Sequence, residues 1–291
     1  DNLHIDKAEL DGLVGDDFRS KAYPFPKNHY PKLPVSGLKS LDFQMRLDTF
    51  LVRNSCFTYR EYRPPALQPG EIWFTDINLQ GQNITNDTSE IARDSLMRFH
   101  ASAMLMGEAE LSLNLGFNLE SSSDRFFANG ILNRFEVTEL NPILEHVAFI
   151  KVTKGQNEML KFNFQANNDI AKGDMGFRYK KLHIRLIDKE TLTDRGFGES
   201  IASFIANTFV VRRNNPKLLI FFRDGDIYFR RDKQKSFFNY LAKSALSGVK
   251  STIRGGNEER KEKRRKRKME RLLKREGRLD EKSMREMKES R

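Results

Sequence analysis

The stretch Glu110-Leu-Ser-Leu-Asn-Leu-Gly-Phe-Asn-Leu-Glu120 decides the fold. Leu111, Leu113, Leu115, Phe117 and Leu119 fall on one parity, and Ser112, Asn114, Gly116 and Asn118 fall on the other. Successive side chains of a strand point to opposite faces, so this period of two predicts a strand with one apolar and one polar face. The pattern recurs at Leu160, Phe162 and Phe164, at Met175, Phe177 and Tyr179, and again at Leu182, Ile184 and Leu186. Earlier, Leu41, Phe43, Met45 and Leu47 alternate with charged and polar residues. Runs at Cys56–Tyr62 and Glu71–Gln80 follow, separated by the proline-rich turn 64–70. Strands at this spacing predict a mainly β fold, an antiparallel meander.

Helical signals are few. Asn141 before Pro142 reads as a cap opening a short turn through His146. Apolar residues at helical spacing predict a helix over about 199–211, which Asn214-Asn-Pro216 stops. A hairpin with Asp224-Gly225 as its turn is expected next. Ser236 then caps an amphipathic helix to about 253, with Phe237, Phe238, Leu241 and Leu246 on its apolar side and Lys235, Lys243 and Lys250 as a basic side. That helix suits either insertion at a membrane interface or packing as a cap on the end of the sheet. The domain reading is therefore an extended, proline-rich connector over 1–39, a curled antiparallel β-groove domain over 40–235, the helix over 236–254, and a charged tail over 255–291.

The 291 residues carry 51 Lys+Arg and 40 Asp+Glu, a formal charge of +11. Residues 257–291 hold 16 Lys/Arg against 9 Asp/Glu, which leaves 35 against 31 for the remainder. The basic excess thus belongs mostly to the tail, read as a disordered segment or solvated helix. A nucleic-acid role through the 260–275 cluster is weakened, because the aromatic residues lie in the body. The single cysteine, Cys56, excludes an internal disulfide and any multi-cysteine zinc site. The five histidines, His4, His29, His100, His146 and His183, show no metal-ligand spacing. No catalytic constellation, metal site or cofactor motif stands out, so the chain does not read as an enzyme. No apolar run is long enough to span a membrane as a helix. The chain begins at Asp1 in a polar stretch, which reads as a processed chain or a piece of a longer protein, whose missing part would hold any anchor or targeting signal.

A sheet with one apolar face must bury it. The predicted helices are too few to cover about ten strands. The sheet is therefore expected to curl on itself as a barrel, a sandwich or an open groove.

The segment Asn129-Gly-Ile-Leu-Asn-Arg-Phe-Glu-Val-Thr-Glu-Leu-Asn-Pro142 resembles the C-terminal region of AsmA-like proteins. The likeness continues through Ile150–Gly155, Leu160–Phe164 and Gly173–Leu182. Residues 41–80 and the unit Asn214-Asn-Pro216 with Lys235–Gly248 also fit, so the resemblance covers most of 40–254. It rests on turns and strands rather than on catalytic motifs. The absent N-terminal membrane helix and the charged tail depart from the family pattern. The resemblance implies an open, taco-like β-groove of the bridge-like lipid-transfer type, tethered to the inner membrane of a Gram-negative envelope and reaching through the periplasm. Phospholipid acyl chains would be its partners, and outer-membrane integrity its purpose. The lining would come from Leu111, Leu113, Leu115, Phe117, Leu119, Leu160, Phe162, Phe164, Met175, Phe177, Tyr179, Leu182, Ile184 and Leu186. A second reading is an envelope scaffold that assists outer-membrane protein biogenesis through a protein partner at a free sheet edge.

Overall fold

A computed structural model describes residues 2–26, 28–187, 212–217 and 221–254. The expected helix over 199–211 and the tail over 255–291 lie outside these residues. Eleven strands form one sheet: β1 (Asn2–Asp11), β2 (Val14–Ser20), β3 (Gln44–Tyr62), β4 (Gly70–Thr85), β5 (Leu96–Leu105), β6 (Ala109–Asn118), β7 (Phe126–Leu132), β8 (Phe135–Glu136), β9 (Ile150–Ala166), β10 (Ile170–Leu186) and β11 (Gly225–Arg230). Among the described residues four α-helices accompany them: α1 (Pro34–Lys39), α2 (Thr88–Arg93), α3 (Asn141–Ile143) and α4 (Phe237–Arg254). The order across the sheet is β1-β3-β4-β5-β6-β7-β9-β10-β11, with β2 also on β3 and β8 on β9. The sheet does not close into a barrel, so the mainly β, open and curled fold class stands.

Two features correct the sequence reading. From β3 onward the main path is antiparallel, but β1 and β2 both pair parallel with β3, so the sheet is mixed. Asp11 faces Arg53 and Val14 faces Cys56, an offset of 42 residues in both cases. The two strands are thus one edge interrupted at Gly12 (φ +69°). A parallel neighbour needs a long crossover, which residues 21–43 supply. The expected connector over 1–39 is therefore partly sheet, and Leu33 and Val35, each 1% exposed, join the core. Its charges hid the strands: Asp6, Lys7, Glu9, Asp16 and Asp17 suit an edge, where charge discourages unwanted pairing. Second, β11 pairs with β10, while most of the expected hairpin strand over 218–222 lies outside the described residues and Phe222 is not in a strand. Among the described residues, Phe221 instead exchanges backbone bonds with Lys217 (3.0 and 3.1 Å).

Paired irregularities keep the apolar face continuous. Asn54 on β3 and Asp76 on β4 take positive φ (47° and 51°) where the register shifts. Each adds a residue, so the inward parity changes on both strands together. The same device explains the switch from Met175, Phe177 and Tyr179 to Leu182 and Ile184. Lys181 sits at φ 54° between register shifts in β10.

The far edge is closed by α4. Ser236 caps the helix, accepting from Asn239 N at 3.3 Å. Ser247 and Ser251, one turn apart, accept from Tyr228 N (3.2 Å) and Asp226 N (3.0 Å) of β11. The helix thus takes up donors that an edge strand would offer to another chain. Gly225 and Gly248 permit this approach: a Cβ on Gly225 would lie 2.4 Å from Gly248 O.

The sheet must curl to make these contacts. Strands β3 and β11 stand seven places apart, roughly 33 Å if flat. Yet Arg19 of β2 and Lys235, just before α4, clasp the same ring of Phe25, with Cζ at 3.9 Å and Nζ at 3.4 Å from its centroid. Arg231, just after β11, donates to Pro31 O at 2.6 Å.

Gly130 faces Phe162 across β7 and β9, and an added Cβ would lie 2.5 Å from the ring. Gly130→Val is expected to destabilise the protein by about 1–3 kcal/mol. Urea unfolding measures it, and an unchanged midpoint would contradict the register described.

Candidate functional site

Strand registers place the apolar residues in rows across the sheet. One row runs Val52, Leu79, Ala101, Leu113, Gly130, Phe162 and Met175. Its neighbour runs Phe50, Gly81, Phe99, Leu115, Ala128, Phe164 and Gly173. A third joins Ala103, Leu111, Leu132, Leu160 and Phe177. The alternation predicted this face, but not how much of it the chain itself covers.

Coverage is uneven. Of the expected lining, Phe117, Leu119, Leu160, Phe164, Met175, Phe177, Tyr179 and Leu182 are buried in the core. They pack beneath α4 and neighbouring segments, which corrects their assignment to an accessible lining. Leu111, Leu113, Leu115, Phe162, Ile184 and Leu186 remain partly exposed. So do Phe50, Val52, Leu79, Phe99, Ala101 and Ala103, which the sequence reading did not single out. The open floor therefore lies on β3 to β6, displaced from the expected centre on β9 and β10. Only the non-local strand order could have located it.

The C-terminal helix divides as its two readings did. Phe237 packs its ring 5.4 Å from those of both Phe117 and Phe126, and Leu241 adjoins the same core. Phe238 and Leu246 face outward, 75% and 42% exposed. Tyr240 is buried, and its hydroxyl donates to Asn167 O (3.1 Å). The helix is thus a cap with an apolar outer margin. Among the described residues no helix is long and apolar enough to cross a membrane.

Polar residues at the ends of the floor act structurally. Asn141 does not cap its helix. Its side chain brackets Val152, donating to the carbonyl (2.9 Å) and accepting from the amide (2.8 Å). Fully buried Asn215 donates to Phe177 O (2.6 Å) and Arg223 O (2.8 Å) and accepts from Arg223 N (2.8 Å), which fixes the chain after Arg212 onto β10. His183 bonds Lys181 O (2.7 Å), and Cys56 is a half-buried strand residue. His4, Asp6 and Asp48 bring ligand atoms within 4.8 Å of one another, a grouping the sequence spacing did not reveal. They are largely exposed, and Arg46 already pairs with Asp48 at 2.6 Å. This cluster reads as a solvated ion-pair network.

Tyr179 donates to Arg212 O at 2.9 Å, and burial pushes its phenol up to about 12, partly opposed by Arg212 and Arg223. A raised phenol contributes stability that is complete below its unfolded value, near pH 10, and is lost as pH rises through 12. Thermal melts should show that alkaline loss, and Tyr179→Phe should flatten it. A wild-type melting temperature constant over this range would contradict the environment described. Phe237→Ala should cost about 3 kcal/mol and Phe238→Ala under about 0.5 kcal/mol. Equal losses in chemical unfolding would contradict the cap.

No family model, curated protein or solved structure matches this chain.

Proposed function

We propose that this protein binds phospholipid acyl chains on its open apolar floor and conducts them between membranes of a cell envelope. The observation that carries the reading is the partly exposed floor over β3 to β6, continuous by register with a buried core. An exposed apolar face in water is unfavourable, and each methylene laid on it contributes roughly 0.8 kcal/mol. Rows crossing the strands offer a continuous surface of similar side chains, on which a chain slides without losing a specific contact. Such a carrier needs no bond-making residues. The resemblance to AsmA-like proteins supports the same reading and suggests a periplasmic setting, tethered to the inner membrane and serving outer-membrane integrity.

The β1/β2 edge, which no described strand pairs on its outer side, favours a second reading, an envelope scaffold engaging a partner strand. Leu10, Leu13, Val14 and Phe18 are 45%, 50%, 77% and 58% exposed there. On that reading the floor is covered by protein rather than lipid.

Native mass spectrometry and solvent extraction separate the two. Purified protein should carry phospholipid, and Leu113→Asp should lose at least tenfold of it while melting within a few degrees of wild type. Absence of lipid from the wild-type protein, or full retention by the variant, would contradict the carrier.

A further inference from the structure

At the end of β3 the inner face meets a group of cations, of which Lys21, Arg63, Lys243 and Lys250 are exposed to solvent. Glu61 lies on that face with Tyr59 and Phe57, whose cross-strand partners are Ile72 and Phe74. It is 6% exposed, takes Lys21 at one carboxylate oxygen and accepts Tyr59 OH at the other (2.8 Å). Arg63, just after β3, and Lys243 of α4 lie within electrostatic reach of it. Lys250 lies two turns along from Lys243, on the same side of the helix. Lys235 and Arg19 close the group by clasping Phe25.

These cations outnumber the carboxylates that meet them. Arg63 donates to Val147 O at 2.7 Å, a neutral acceptor. Lys243 and Lys250 make no hydrogen bond or ion pair among the described residues. Arg19 Nε is buried without an acceptor there. Desolvation lowers the Lys243 ammonium below the usual lysine range, and Lys21, Lys250 and Arg63 lower it further against the opposing pull of Glu61. Lys235 is lowered by desolvation first, then by Arg19 and Lys21, with Asp232 and Glu61 opposing. Like charges gathered at a solvent-exposed margin repel one another modestly, and an anion placed among them relieves that repulsion.

We propose that Lys21, Arg63, Lys243 and Lys250 seat the phosphate of an anionic phospholipid whose acyl chains lie on the adjoining floor. This rests on the carrier reading and adds the headgroup class to it. A headgroup of net negative charge is selected over a zwitterionic one, whose choline would bring a cation to the same place. The head remains at the wet margin between α4 and the β2/β3 edge, while the tails follow the rows towards β6.

The test uses the full chain with vesicles of phosphatidylglycerol or phosphatidylcholine, with bound lipid measured after reisolation. Wild type should take up phosphatidylglycerol preferentially. Lys243→Ala/Lys250→Ala should lower that uptake roughly thirtyfold, the product of the two lysines' separate contributions. It should leave phosphatidylcholine uptake and thermal stability unchanged. Lys154→Ala/Lys161→Ala, on exposed sheet positions, should have no effect. Equal uptake of both lipids by wild type, or an unchanged phosphatidylglycerol level in the α4 variant, overturns the seat and leaves the carrier standing. Uptake of neither lipid overturns both. Calorimetry with inorganic phosphate supplies the remaining arm. Binding that the α4 variant abolishes, without any lipid preference, assigns the seat to free phosphate and overturns the headgroup.

Discussion

One imbalance governs this molecule: a long sheet carries an apolar face wider than the described helices cover. Each strand from β3 to β10 contributes side chains to that face. The cover is α4, with α1 and the short helical segment around α3 at the ends. The sheet curls, and Phe237 and Tyr240 fill the space over β6, β7 and β9. Beyond their reach the rows continue half exposed. Folding is stabilised by the covered part, and the uncovered part is the surface on which binding is proposed.

The two edges are treated differently. At β11, Ser247 and Ser251 of α4 meet backbone donors, and paired glycines allow the approach. That edge is terminated. At β1 and β2 the defence among the described residues is charge, and several apolar side chains remain exposed between the charged ones. Growth of the sheet, or pairing with another chain, is therefore directional. A sheet finished at one end and open at the other suits a module within a longer groove as well as a partner-binding edge.

Much of this was legible locally. The alternation from Leu111 to Leu119 identified β6 and its inner face, and the later runs identified β9 and β10. The parity switch near Lys181 was visible in the sequence and proved to be a bulge. Ser236 marked the start of α4 correctly. What stayed hidden depended on partners distant in sequence. Charges masked β1 and β2, whose pairing with β3 crosses 42 residues. Asn141 looked like a helix cap because nothing nearby announced Val152 as its partner. The lysines of α4 read as a basic side, and they are exposed, but their nearness to Glu61, Lys21 and Arg63, nearly 200 residues earlier, was not visible. The extent of coverage was equally invisible, since periodicity shows which face is apolar but not what lies against it.

The carrier account claims that lipid lies on one face of β6 and not on the other. Adjacent residues Leu113 and Asn114 point to opposite faces, so a photo-crosslinking amino acid at each tests this directly. Crosslinked phospholipid in intact cells should appear at position 113 and be absent at 114. Equal labelling at both positions, or labelling at 114 alone, would contradict the account.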